Sequence, residues 1–365
     1  MTSVQLQCTY QNIGRFDLHA CVSCLALSTD EQRTIYRTIR GPPPRCNSGA
    51  IPFKTPRRAS FSTTMSSSQL FLGLDSSTQA LKASLLSSTL DVISELEVRF
   101  DTDLAHFGTK GGVLHGPAGS GEVFSPVLQP VEALDLLFER IKVAGWDVGS
   151  VRGVAAAGQQ HASVYWSQQA SSILSSLDPA KPMAEQMRNA FSRDVIPNWQ
   201  DSSTSAECDE MTAGIGGADE LARVTGSSAH TRFTGSQIMR FRKLFPDAYV
   251  ATDRISLVSS FITTLLCADG EIKGIDESDA CGMNIWDMST PERGWNDKLL
   301  EIIGKDGPEL ARKLGKVETD GGKVVGRIGD WFRQRYGFSR ECAVFPGTGD
   351  NPATFLSLVC ECIHR

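Results

Sequence analysis

The run Leu70-Phe71-Leu72-Gly73-Leu74-Asp75-Ser76-Ser77-Thr78-Gln79 decides the fold. Its first half is a short apolar stretch bounded by turn residues, which predicts a buried strand. Its second half, an acid followed by small hydroxyl residues, predicts a tight turn. Beyond the turn, Leu81, Ala83 and Leu85 alternate with polar or small residues, and so do Leu96, Val98 and Phe100. Period-two alternation marks strands with one covered face, so the spacing predicts an antiparallel three-stranded meander. Leu134, Leu137, Phe138 and Ile141 then follow the i, i+3, i+4, i+7 spacing of an amphipathic helix, with Pro130 suited to its first turn. Val151 to Ala157 reads as another small apolar strand, ended by Gly158. Strands, then a helix, then a return to strand indicate an α/β domain with a mixed sheet.

From about Asp178 to Arg293 the pattern is more helical. Ile255, Val258, Ile262, Leu265 and Leu266 read as one buried helix face, with Gly270, Gly274 and Gly282 punctuating the loops after it. Ile328, Trp331, Phe332 and Arg335 suggest a further helix, and Cys342 to Phe345 a short strand. Near residue 65 the composition changes. The preceding residues are rich in Ser, Thr, Arg and Pro, with only Asp17, Asp30 and Glu31 as acids. Pro42, Pro43 and Pro44 exclude helix and central strand. Arg57-Arg58-Ala59-Ser60-Phe61-Ser62 has the flavour of an organelle transit segment, but no amphipathic Arg-rich helix is sustained, which favours a low-complexity extension.

The 365 residues suggest two or three compact domains. An apolar fraction of 41% with 21% charged residues is the balance of a soluble globular protein. A net charge of −6 argues against general nucleic-acid binding, which needs a basic face to neutralise phosphates. No uninterrupted apolar run reaches the ~20 residues of a membrane span. Of the ten cysteines, Cys21 and Cys24 form a C-x-x-C pair without a second ligand pair, so free thiols are expected rather than a zinc site or redox pair. Cys208, Cys267, Cys281 and Cys342 read as small buried hydrophobes of a reducing compartment.

Five motifs carry polar chemistry. In Asp75-Ser76-Ser77-Thr78 the turn can present backbone N–H groups and hydroxyls to a phosphate, and the acid can face Mg²⁺ through water; a plain hairpin is the competing reading. Ala157-Gly158-Gln159-Gln160-His161 releases amides and an imidazole that suit sugar hydroxyls, or a satisfied polar loop. Trp199-Gln200-Asp201-Ser202-Ser203 sets an exposed ring beside an acid, as a sugar would use, while Asp201 equally suits a helix N-cap. Thr231-Arg232-Phe233-Thr234-Gly235 offers a rigid fork of donors, or a surface Arg at a helix boundary. Pro346-Gly347-Thr348-Gly349-Asp350-Asn351-Pro352-Ala353 is a glycine-rich turn after a strand, opening a helix at Asn351 or Pro352. Its N–H groups can attract a phosphate. Asp350 is placed there to take a proton from a substrate hydroxyl, or to cap the helix.

In this order the five motifs resemble those of the xylulose kinases, a branch of the FGGY carbohydrate kinases, in particular the eukaryotic type. Phe107 to Gly112, Ser125 to Leu128, Arg254 to Ser260 and Gln334 to Phe338 fit as well, so the likeness spans about residues 70 to 355. The resemblance implies actin-like domains with a ribonuclease H-like α/β core, the second domain being largely missing. Residues 1–68 would be an extension, 69–345 the sugar-binding domain and 346–365 the start of the second domain. The implied activity is ATP-dependent phosphorylation of D-xylulose to D-xylulose 5-phosphate with Mg-ATP, in the cytoplasm, with neither nucleic acid nor membrane as partner. Carried over by motif, His161, Arg232, Asp350 and Asn351 would contact the sugar, with Gln160, Trp199 and Asp201 near it. Asp75, Ser76, Ser77 and Thr78, together with Gly347, Thr348 and Gly349, would face the phosphates, and Asp350 would be the general base. Kinases of ribulose, gluconate or glycerol, and an inactive sugar-binding fragment, are the alternatives. The tail from Leu356 to Arg365 departs from the family pattern, which leads us to expect a shortened helix after Asp350 and no ATP pocket.

Overall fold

The structure, a computed structural model, describes residues 69–363, with side chains in the last helix to Ser357. The Cys21–Cys24 pair and the basic stretch at 57–62 lie outside the described residues. Strands β1 (Leu70–Ser76), β2 (Ala80–Leu86) and β3 (Val92–Arg99) form the expected meander. Helix α1 (Leu128–Val143) follows, with Pro130 in its first turn. Then come β4 (Val151–Gly158), β5 (Ser163–Ser167), α2 (Thr234–Leu244), β6 (Thr252–Leu257), α3 (Val258–Cys267) and α4 (Glu277–Cys281). The chain closes with β7 (Gly326–Arg327), β8 (Ala343–Val344), β9 (Thr348–Gly349) and α5 (Asp350–Ile363). One seven-stranded sheet has the order β7-β8-β4-β1-β2-β3, with β9 also paired to β4. β1, β8 and β9 run parallel to β4, β2 and β7 are reversed, and β3, antiparallel to β2, points the same way as β1. This is the mixed α/β sheet expected.

Alternation along β1 explains its burial on both faces. Leu70, Leu72 and Leu74 enter the main core with α1 and α3, whereas Phe71 joins Leu86, Ala155, Ala343 and Phe345 on the opposite side. The outer strand β3 carries Glu95, Glu97 and Arg99, charges that discourage pairing along an exposed edge. Phe100 is not the last strand residue expected; it is buried at the start of a helical turn, Phe100–Asp103.

A second core packs the helical region, and the antiparallel pair β5–β6 divides the two. Val164 and Trp166 belong to the main core, while Tyr165 between them belongs to the second, all three fully buried. Ile255 pairs with Tyr165 across these two strands. Ile255 is therefore a strand residue and not part of the helix face expected; the helix starts at Val258. Every residue of α3 is buried, so it has no polar face, and strand and helix merge into one apolar run when read by period. Similarly, Ile328 precedes the short helix Asp330–Tyr336 instead of lying on it. Cys208, Cys267 and Cys342 are buried free thiols as expected, and Cys281 is partly exposed. A helix of 14 residues follows β9. No described helix is long and apolar enough to cross a membrane.

The chain entering β9 lies so close to its neighbours that Gly347 and Gly349 leave no room for a side chain. A Cβ on Gly347 would stand 2.5 Å from the Ser259 carbonyl oxygen and 2.7 Å from Thr263 Oγ1. Gly347→Ala is therefore expected to cost about 1–3 kcal/mol of stability by overpacking, read as a lower urea midpoint. Gly294→Ala, where a Cβ meets nothing within 4 Å, should change stability by no more than about 0.5 kcal/mol.

Candidate sugar site

The parallel strands place three of the five motifs in one row. Asp75 on β1 and Thr348 on β9 both register with Ala157 on β4, and Ser76 and Gly349 both register with Gly158. With strands ~4.8 Å apart, the Asp75 and Thr348 backbones flank β4 at a separation of about 10 Å. The carboxyl ends of all three strands open on the same side, the usual ligand side of an open α/β sheet. Asp75 is buried there, 1% exposed.

The other two motifs join this row through side chains. Trp199 Nε1 donates to Thr78 Oγ1 at 2.9 Å, and Thr78 Oγ1 donates to Gln159 Oε1 at 3.2 Å. Asn198 Nδ2 donates to the same Gln159 oxygen at 2.7 Å. This chain of bonds ties the β1–β2 turn to the Trp199 loop and leaves the ring 42% exposed, as a stacking surface requires.

His161 holds a left-handed backbone conformation, φ 68°, which costs a non-glycine residue roughly 1–2 kcal/mol. Three contacts hold it there. Nδ1 lies 3.1 Å from the Gly282 carbonyl oxygen, the ring packs at a tilt 4.5 Å from Phe233, and Thr234 Oγ1 donates to the His161 carbonyl at 3.2 Å. Because the Gly282 oxygen only accepts, Nδ1 carries the proton and Nε2 keeps its lone pair. Burial, then the positive charge of Arg232, push the imidazole down to about 4. It is thus a neutral acceptor at physiological pH. Arg232 itself is partly buried, and its Nε is shielded from solvent without a hydrogen-bond partner. A buried donor in that state favours an incoming acceptor oxygen.

Asp350 and Asn351 open α5. The Asp350 carboxylate accepts from the Asn351 N–H at 2.9 Å, and Asn351 Nδ2 donates to Gln160 Oε1 at 2.8 Å. The last motif is thereby joined to the Gln160-His161 pair. Gly347 and Gly349 do not form a free loop, as the glycines suggested. Thr348 and Gly349 are ladder residues of the sheet, because Gly347 and Gly349, without side chains, fit between β4 and the α3–α4 layer.

Two of the residues singled out are occupied within the chain. Asp201 accepts from the Val123 N–H at 3.0 Å through one oxygen, and from the Ser203 N–H, Ser203 Oγ and Gln237 Nε2 at 2.7–2.9 Å through the other. It closes a turn before the helix Ser205–Ile215, whose N-cap is Thr204. Ser77 sends both its N–H and its hydroxyl to the Ala80 carbonyl, at 3.0 Å each, the hairpin arrangement. Beside that hairpin, an open cavity of about 550 Å³ is lined by Ser77, Thr78, Lys82, Arg99 and Asp101, among others. Among the described residues, no group of three or more His, Cys, Asp or Glu side chains could hold a metal ion.

Sequence reading missed α4. Asp276 Oδ2 accepts from Thr348 Oγ1 at 2.7 Å, and Asp279 Oδ2 accepts from Ser259 Oγ at 2.5 Å. Both acids are buried against β9. The available signal was Asp276, an acid suited to a helix N-cap, with Asp279 three residues on, in a stretch that reads as a glycine-punctuated loop.

With this geometry in place, the chain can be set against known proteins. The profile of the FGGY family of carbohydrate kinases, N-terminal domain, matches residues 70–357. The chain belongs to the FGGY family. It is 48% identical over 291 residues to the probable D-xylulose kinase A of Aspergillus flavus and to D-xylulose kinase A of Aspergillus niger. In each case 79% of this chain and 50% of the relative are covered, so the chain spans about half the length of these curated relatives. Among solved structures, the fold matches a kinase from Brucella ovis described as a xyloylose kinase (TM-score 0.60, 18% identity, 78% of this chain and 49% of that one). It also matches ligand-bound xylulose kinase from Lactobacillus acidophilus (TM-score 0.59, 14% identity, 77% and 48%). FGGY membership accounts for the sheet order, and the site sits where the parallel strands end.

The state of His161 is directly measurable. Nitrogen-15 NMR of the imidazole should show it neutral, protonated on Nδ1, between about pH 5 and 8. Arg232→Gln should move its titration to higher pH, because the depressing charge is removed while the burial remains. For stability the sign follows: a depressed folded value means the unfolded chain binds more protons, so this residue makes stability fall as pH drops from about 6.5 towards 4.

Proposed function

We propose that the chain binds D-xylulose and serves its ATP-dependent phosphorylation to D-xylulose 5-phosphate, with Asp350 as general base. The observation that carries this reading is the meeting of His161, Arg232, Gln160 and Asn351 beside Asp350 at the ends of parallel strands. Neutral His161 offers Nε2 to one sugar hydroxyl, Arg232 offers its buried Nε to another oxygen, and Trp199 presents a face for the C–H side of the sugar. The 48% identity to fungal D-xylulose kinases supports xylulose over ribulose, gluconate or glycerol in this reading.

In this reading Asp350 accepts the proton of the sugar's terminal hydroxyl while Asn351 and Gln160 hold the turn. The base need only guide that proton, because the transition state of phosphoryl transfer is loose. Most of the acceleration comes from holding the hydroxyl in line. Mg-ATP would supply the phosphoryl group and neutralise its charge. The residues fit such a partner in one respect: Mg²⁺ commonly takes one or two carboxylates and keeps its waters and phosphate oxygens, and Asp75 is a buried acid at the end of β1. Ser76, Thr78, Gly347, Thr348 and Gly349 line the same strand ends, and Lys82 and Arg99 add positive charge near the hairpin. Asp201 acts in this reading through the Trp199 loop it braces.

Calorimetric titration with D-xylulose tests the binding half of the proposal. Saturable binding is expected, weakened about 10- to 100-fold in Arg232→Ala, the loss of a charge-assisted hydrogen bond. Release of ADP from Mg-ATP tests the other half. It should depend on D-xylulose and fall about 10²- to 10⁴-fold in Asp350→Ala. Equal stimulation by ribulose, gluconate or glycerol would overturn the choice of sugar. Binding without any ADP release would restrict this sequence to a sugar-binding role, and absence of binding would sink the proposal.

A further inference from the structure

Gln129, in the first turn of α1, lies outside all five motifs and is 0% exposed. Its neighbours tell its two amide atoms apart. Thr109 Oγ1 gives its own proton to Asp101 Oδ1 at 2.7 Å, so it can only accept from Gln129, at 3.1 Å. The atom facing Thr109 is therefore the nitrogen, and the other is the oxygen. That oxygen is shut off from solvent and has no hydrogen-bond partner among the described residues. The same logic fixes a second amide. Asn198 Oδ1 accepts the Gln200 N–H at 3.0 Å, so Asn198 Nδ2 is the donor to Gln159 at 2.7 Å, and Gln159 Oε1 accepts there and from Thr78. The Gln159 nitrogen, turned the other way, bonds to no described residue. Both amides line one small cavity of about 10 Å³, together with Ser76, Ser125 and apolar side chains. Every residue lining it is buried. A buried water molecule needs about 10–15 Å³ and typically about three polar partners.

We propose that this cavity binds a single water molecule as a fixed part of the site, the water donating to Gln129 Oε1 and accepting from Gln159 Nε2. Ser125 spends its own proton on the Gly112 carbonyl at 2.9 Å, so its hydroxyl oxygen is the acceptor for the second water proton. The lining groups select this occupant. It has to donate to one amide and accept from the other, and it has to be the size of one heavy atom. A sugar hydroxyl brings a carbon that the space does not hold, and a cation would face the N–H groups of Gln159. A buried acceptor left unpaired is costly, whereas a bond through water is nearly as good as a direct one. The water also completes a chain. Asp101, Thr109 and Gln129 on one side are joined through it to Gln159, Thr78 and Trp199 on the other. The start of α1 thereby braces the loop that presents the Trp199 ring. The inference goes beyond the D-xylulose reading and does not rest on it.

Crystals of the full chain, grown without sugar or nucleotide, test this directly. One density peak should stand roughly 2.6–3.2 Å from both Gln129 Oε1 and Gln159 Nε2. Absence of a peak, or a Gln129 oxygen bonded instead to a protein group, overturns the proposal. So does a peak ringed by oxygens at about 2.0–2.6 Å, the distances of Mg²⁺ or Ca²⁺. Gln129→Met, which keeps the length of the side chain and removes its acceptor, supplies a second readout in solution. It should move the nitrogen-15 resonance of the Gln159 side-chain amide, the group that donates to the water. An unmoved Gln159 signal in the folded variant also overturns the proposal, and if the variant does not fold, the crystals of the unaltered chain decide. Neither measurement needs D-xylulose, so its failure is distinct from failure of the kinase reading.

Discussion

Gly158 and Gly349 face each other across β4 and β9, and neither can carry a side chain. A Cβ on Gly158 would meet the Ser259 nitrogen at 2.6 Å, and one on Gly349 would meet Asp279 at the same distance. This close approach is the constraint on which the site depends. It admits a two-residue strand into the sheet between β4 and the α3–α4 layer. Once that strand is paired, Asp350 can leave it only at the carboxyl end, on the same side as Asp75 and Gln159. A bulkier backbone neighbour would push β9 off the sheet and take Asp350 with it.

The same region is a seam between two cores. β5 sends Trp166 to one core and Tyr165 to the other, and the segment just before it carries His161. Phe233 and Thr234, at the start of α2 in the second core, hold that histidine from the far side. Residues from both cores therefore meet at the candidate site, which is common for ligand sites, since a junction offers a concave surface and polar groups that neither core could bury alone. The left-handed backbone at His161 is tolerated because contacts from both sides fix it.

Electrostatically the site separates charge from neutrality by burial. His161 is kept uncharged and Asp279 is raised well above the ordinary carboxylate range, while Arg232 lies beside the histidine. A small number of full charges, set among neutral donors and acceptors, suits an uncharged ligand such as a sugar, whose hydroxyls need partners without a counter-ion. Asp201 illustrates the opposite use of an acid. All of its acceptor capacity is spent on Val123, Ser203 and Gln237, so its charge braces a loop.

By itself the sequence determined the meander, the α/β class, α1 and the five polar motifs, because each rests on local periodicity or turn chemistry that needs no partner. It also carried the family, since the order of the motifs along the chain is a one-dimensional property. Position on a sheet is not. Ile255 read as helix because an apolar strand running into a fully buried helix shows no break in period; only the pairing with Tyr165 separates them. Thr348 and Gly349 read as a loop because glycine usually signals a turn, whereas here its missing Cβ admits a strand. Asp276 and Asp279 were passed over because acids in a glycine-punctuated stretch are usually solvated. Tertiary packing alone put them against β9, and burial there is the largest cause of the rise in both carboxyl groups.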